Sequence, residues 1–116
     1  MATKDPREPF GRISVAEAKE KLDNGTAVMV DVRNPDEYVE VHAMGVRLIP
    51  VNTVMHEAKQ IRAFAGDKEV LFICKSGQRS ALAAEYATAA GIDELALFNV
   101  EGGTIAWVEA GLPTGD

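Results

Sequence analysis

Four short, largely apolar runs punctuate the chain: Ala27 to Val30, Val46 to Ile49, Val70 to Ile73 and Leu95 to Val100. Runs of this length, rich in β-formers, fit strands covered on both faces. Between them the period changes to that of a helix. Val15, Ala18 and Leu22 fall on one helical face, and Val54, Ala58, Ile61 and Phe64 trace another apolar stripe. Ser14 and Glu17 stand at capping-box spacing, so the first helix is expected over about residues 15–22, stopping near Asn24-Gly25. Ala81 to Ala90 is alanine-rich and of high helix propensity, with Leu82 and Tyr86 as its larger packing residues and Gly91 as its cap. A last short helix carries Trp107, expected to anchor the core. His56 lies off the helical stripe and is expected to face solvent.

Strands alternating with helices at these spacings need crossover connections. The predicted fold is therefore α/β: a doubly wound, mainly parallel sheet of four to five strands with helices on both faces. The chain of 116 residues fits one domain, with residues 1–11 as a loosely ordered lead-in broken by Pro6 and Pro9. In such sheets ligands bind beyond the carboxyl ends of the strands. Asp31, Cys74 and Gly102 each follow a strand, so the topology can gather them at one rim. Gly102 and Gly103 would let the backbone pass close to the Cys74 loop, although a plain turn explains them equally well.

The candidate chemistry sits at the end of the third apolar run. Cys74, the only cysteine, is followed by Lys75, Ser76, Gly77, Gln78, Arg79 and Ser80, a polar loop leading into the alanine-rich helix. A helix start leaves amides without intrahelical partners and carries partial positive charge, so this loop has the makings of an anion cradle with the sulfur at its floor. A free thiol, with a pKa of about 8.5, is mostly protonated at neutral pH. Lowering it by two units takes roughly 2.7 kcal/mol of preferential stabilisation of the anion, and a helix end contributes up to about 2 kcal/mol. Loop hydrogen bonds and the Lys75 and Arg79 charges are expected to supply the rest.

The formal net charge is −6, which disfavours nucleic acid and anionic membrane surfaces as partners, so an anionic substrate must be drawn by the loop's own field. One cysteine excludes an internal disulfide. The two histidines, His42 and His56, show no zinc spacing, so neither a metal nor another cofactor is expected. His42 is expected to be a structural or surface residue. Residues 1–11 lack an apolar signal core and no run reaches membrane length, which makes cytoplasmic residence the expectation.

The segment VLFICKSGQRSALAA, residues 70–84, resembles the active-site loop of the rhodanese superfamily of sulfurtransferases. VMVDVRNPDEY, residues 28–38, resembles that family's early strand ending in Asp-Val-Arg with a Pro-Asp/Glu turn, and residues 46–50 resemble its next strand. LFNVEGGTIAWVEAGLP, residues 97–113, resembles its closing strand, double glycine, tryptophan helix and Gly-Leu-Pro end. The chain departs from the pattern at VHAMG, residues 41–45, where family members carry a Gly-His-Ile-Pro-Gly-like stretch.

The resemblance implies a sulfurtransferase that moves a sulfane sulfur from a small anionic donor such as thiosulfate, through a Cys74 persulfide, to cyanide or a thiol. Residues 75–80 would hold the persulfide and the leaving anion. Asp31 and Arg33 would order the loop through hydrogen bonds or an ion pair with Glu37. A protein donor or acceptor fits as well. Two other readings stay open: a sulfur carrier for a partner protein without much turnover, and a cysteine-based phosphatase or arsenate reductase. Cysteine phosphatases place five residues between Cys and Arg, whereas four separate Cys74 from Arg79.

Overall fold

The computed structural model describes residues 3–4, 7–92 and 95–115. Among these, six strands and five α-helices follow in the order β1 (Thr3–Lys4), β2 (Gly11–Ile13), α1 (Val15–Asp23), β3 (Ala27–Asp31), α2 (Pro35–Glu40), β4 (Arg47–Leu48), α3 (Ala58–Ala65), β5 (Glu69–Ile73), α4 (Gln78–Ala89), β6 (Leu97–Val100) and α5 (Gly103–Glu109). The sheet order is β1-β2-β6-β5-β3-β4; five strands run parallel and β1 joins the edge antiparallel. The α/β class and the mainly parallel sheet agree with the sequence pattern.

Side chains alternate across a strand, so β5 feeds two cores at once. Val70 and Phe72 join one apolar cluster with Val30, Ile61, Ala83, Ala84 and Ala87, while Leu71 and Ile73 join another with Met29, Ala18 and Trp107. Helices α3 and α4 therefore cover one face, and α1 and α5 the other. Trp107, at 1% exposure, is the anchor the sequence suggested. Burying a side chain of that kind contributes about 1.5–3 kcal/mol. The capping box of α1 also forms: the Glu17 amide donates to Ser14 Oγ at 3.1 Å and the Ser14 amide to Glu17 Oε1 at 3.2 Å. His56 is exposed.

Three expectations are corrected. The sheet gains two strands on one side, residues 11–13 beside β6 and residues 3–4 at the edge beyond them, and Phe10 is 1% exposed instead of lying in a loose lead-in. Strands of two or three residues carry no periodicity of their own, so only their partner reveals them. Leu82 is exposed, and α4 packs instead through Ser80, Ala83, Ala84 and Ala87, whose small side chains bring it close to the sheet. Helix α4 also starts earlier than the alanine run, at Gln78, because Gly77 at φ 111° supplies the left-handed cap. Gln78, Arg79 and Ser80 thus form its first turn. No helix among the described residues is long and apolar enough to cross a membrane.

Candidate functional site

Parallel pairing sets the rim. Asp31 stands opposite Ile73, and Phe72 opposite Asn99, so the carboxyl ends of β3, β5 and β6 lie side by side with Cys74 just past the central strand. The Cys74 residue is 1% exposed and its sulfur forms the floor of the loop. The Gly77 amide donates to Sγ at 3.0 Å, and Ser80 Oγ lies 3.3 Å from it. Burial pushes the thiol up, but hydrogen bonds from the Ser80 hydroxyl and from the amides of Ser80, Gly77 and Ser76 outweigh it, leaving Cys74 more acidic than an ordinary thiol. The amides come from the loop and the first turn of α4, where no intrahelical acceptor competes for them. Hydrogen bonds are thus the leading influence that lowers the thiol, and Arg79 feels the sulfur's charge from farther out.

The carbonyl side of the loop is held by α5. The Thr104 amide and Oγ1 both donate to Cys74 O, at 2.8 and 3.0 Å, and the Ile105 amide donates to Lys75 O at 3.2 Å. Gly103 makes this approach feasible: at φ +58° a Cβ there would lie 2.5 Å from both carbonyl oxygens. The double glycine is a close approach, not a plain turn. Two helix starts thus converge, one holding the sulfur and the other the backbone that carries it.

Arg79 hydrogen-bonds Glu37, although it still feels the charge of Cys74. Its guanidinium donates to both oxygens of Glu37, at 2.7 and 2.9 Å, tying α4 to α2. Of the two roles the sequence leaves open for Asp31 and Arg33, hydrogen bonds to the loop or an ion pair with Glu37, the structure makes neither: Arg33 is buried in a bidentate contact with Asp31, at 2.8 and 3.0 Å, and donates to Val41 O at 2.6 Å. The correction has a geometric cause: Asp31 and Arg33 are two apart at a strand end, where the Arg33 amide also reaches Asp31 Oδ1 at 3.0 Å. The pair braces the strand end and the chain leading to 41, and its bonds do not reach residues 74–80. Lys75, Ser76 and Gln78 are exposed. Lys75 and Arg33 line a cleft of about 390 Å³ beside the loop, with Glu37, Glu40 and Glu109 as its acidic residues and Val41, Ile105 and Val108 as its apolar ones. His42 stacks on Tyr38 at 3.7 Å with Nδ1 2.7 Å from Tyr38 O, a structural placement. Among the described residues no three His, Cys, Asp or Glu side chains gather as a metal site.

Sequence reasoning missed Thr104 and Asn99. Asn99 is 0% exposed, donates from Nδ2 to Gly77 O at 3.0 Å and accepts from Ser80 Oγ at 2.5 Å. A signal existed: an uncharged polar residue inside an apolar strand must find partners when buried.

The Glu37–Arg79 clamp yields a pH prediction. The Arg79 guanidinium holds the Glu37 carboxyl at about 2 against an ordinary 4.5. A depressed carboxylate stabilises fully above its unfolded value, and that contribution is lost as pH falls through about 2. Because both side chains are partly exposed, about 1 kcal/mol is expected. Glu37→Gln should unfold at lower temperature than the parent at neutral pH, with the gap closing between pH 4.5 and 2. A gap constant across that window would refute the assignment.

The same fold occurs in solved structures. A rhodanese-related protein from Thermoplasma volcanium is 30% identical with a TM-score of 0.76, the match covering 90% of this chain and 96% of that one. The thiosulfate sulfurtransferase of Pseudomonas aeruginosa is 26% identical with a TM-score of 0.75, covering 90% of this chain and 20% of that one. A Rhodopseudomonas palustris protein of unknown function, described as a possible tyrosine phosphatase, is 29% identical with a TM-score of 0.76, covering 90% and 83%. The family model for the rhodanese-like domain matches residues 14–110, nearly the whole described fold, and the chain belongs to that family.

Proposed function

We propose that the protein is a sulfurtransferase acting through Cys74. The Cys74 thiolate attacks the outer sulfur of a donor such as thiosulfate; a new S–S bond forms, the donor's own S–S bond breaks, and sulfite leaves with the bonding pair. A nucleophile such as cyanide or a thiolate then takes the outer sulfur, and Cys74 recovers its thiolate. The observation carrying this reading is the cradle of Gly77 amide, Ser80 hydroxyl and first-turn amides around one sulfur. A sulfur 1% exposed favours a donor whose reacting atom is terminal and unhindered. Lys75 supplies an exposed cation on a cleft that also carries Glu37, Glu40 and Glu109, and this mixed lining suits a protein acceptor as well as a small one.

The Rhodopseudomonas relative raises phosphatase chemistry as a second reading. Such chemistry needs an arginine turned into the loop to hold a tetrahedral anion. Here four residues separate Cys74 from Arg79, and both oxygens of Glu37 occupy the guanidinium. The discriminating experiment compares thiocyanate formed from thiosulfate and cyanide with phosphate released from an aryl phosphate. Thiocyanate at a rate far above background, with no phosphate, is expected. The opposite pattern would overturn the proposal, and a gain of one sulfur by intact mass with negligible thiocyanate would make the protein a carrier.

A further inference from the structure

The chemistry above makes no use of Asn99. Its Nδ2 donates to Gly77 O at 3.0 Å, which settles how the amide faces: Oδ1 points at Ser80 Oγ, 2.5 Å away. Ser80 Oγ is also 3.3 Å from Cys74 Sγ. A hydroxyl has one hydrogen, and Asn99 Oδ1 has none to offer in return. Both acceptors therefore call on the same hydrogen of a fully buried serine.

The outcome depends on the state of the sulfur. With Cys74 as a thiol, Ser80 donates to Asn99, the S–H donates to the Ser80 oxygen, and every group is satisfied. A bare thiolate has no hydrogen to give. Ser80 must then either turn to the sulfur and leave Asn99 Oδ1 unpaired in a dry site, or stay and leave the anion to the amides alone. Once a second sulfur is attached, the negative charge sits on the outer atom and Sγ becomes a neutral bridge, so Ser80 can return to Asn99.

We propose that Asn99 is a positioning residue that competes with Cys74 for the single Ser80 hydrogen, and so disfavours the bare thiolate relative to both the thiol and the sulfur-loaded form. Only the loaded state rests on the sulfurtransferase reading; the competition belongs to the free protein. The charged groups bearing on the site are Arg79 on α4, which feels the charge of Cys74 and is held by Glu37 of α2, Lys75 next to Cys74 in the chain, and Asp31 at the end of β3, which feels Arg79 and is held by Arg33. None of these bonds involves residue 99, so substitution there leaves them in place.

The test follows thiol ionisation by the ultraviolet absorbance of the thiolate. Asn99→Leu keeps the volume and removes both polar groups. Its midpoint is expected to fall by about one pH unit, the size of one hydrogen bond to a charged group. Ser80→Ala is expected to raise the midpoint, and adding Asn99→Leu to it should change nothing further. If Asn99 served only to hold Gly77, the midpoint would rise in Asn99→Leu and by the same amount in the Ser80→Ala background, and either result overturns the proposal. Should Asn99→Leu not fold, the isotope-labelled parent protein decides. Its Asn99 side-chain amide resonances are expected to move as Cys74 ionises and to return when thiosulfate loads one sulfur; resonances that stay still through the titration would refute the competition. If thiosulfate adds no mass, the sulfur-transfer reading falls while the titration still decides the role of Asn99.

Discussion

Cys74→Ser protein is expected to gain no mass on incubation with thiosulfate and to form thiocyanate only at the rate of the protein-free reaction. Serine occupies nearly the same volume and can still accept from the Gly77 amide, so the loop should survive, with a stability change of about 1 kcal/mol. What disappears is the anion. The cradle of one hydroxyl and three amides lowers a thiol from its ordinary value, but it cannot bring an alcohol, far weaker as an acid, into the neutral range. A single sulfur's mass appearing on the serine variant would remove Cys74 from its assigned role, whatever the rate of thiocyanate formation.

Gly103→Ala should be nearly as damaging, though residue 103 never meets the substrate. Two costs add there. The positive φ of 58° strains any residue with a Cβ by about 1–2 kcal/mol. The Cβ would also lie 2.5 Å from Cys74 O and Lys75 O and 2.6 Å from Lys75 C, all backbone atoms that cannot swing aside. Overpacking of this kind costs typically 1–3 kcal/mol, so about 3 kcal/mol of stability is expected to be lost. The strain cannot relax without lifting the start of the cysteine loop from the Thr104 and Ile105 amides. A displacement of about 1 Å at the sulfur can cost about 100-fold in rate. Gly25→Ala is the control: its φ is 73° but nothing stands within 4 Å of the added carbon. It should lose about 1 kcal/mol and keep full sulfur-transfer activity. Equal losses in the two variants would show that backbone strain alone matters and that the loop contact does not.

Both variants act at positions the sequence marks openly, a lone cysteine after an apolar run and a paired glycine. The partners around them are less visible. Arg79 reads as a substrate-binding cation, yet its partner Glu37 lies 42 residues away on α2. Glu37 reads as a neighbour of Arg33, yet the buried Asp31 takes Arg33 because a two-residue offset at the strand end brings both guanidinium and amide to one carboxylate. Asn99 looks like an interruption in a strand until β6 is laid beside β5 and its amide meets Gly77 and Ser80.

The sequence by itself determined the alternation of strands and helices, the sheet class, and the place of the lone cysteine and its polar loop between a strand end and a helix start, since each rests on residues within one turn or one strand of each other. Only the tertiary structure decided the two added N-terminal strands, the burial of Phe10, the pairing of the charges and the bonds made by Asn99 and Thr104. The physical reason is range. Periodicity and capping are local and leave a mark in consecutive residues, whereas which carboxylate meets which guanidinium, and which amide shares a serine's hydrogen, depends on strand order and register that no single segment carries.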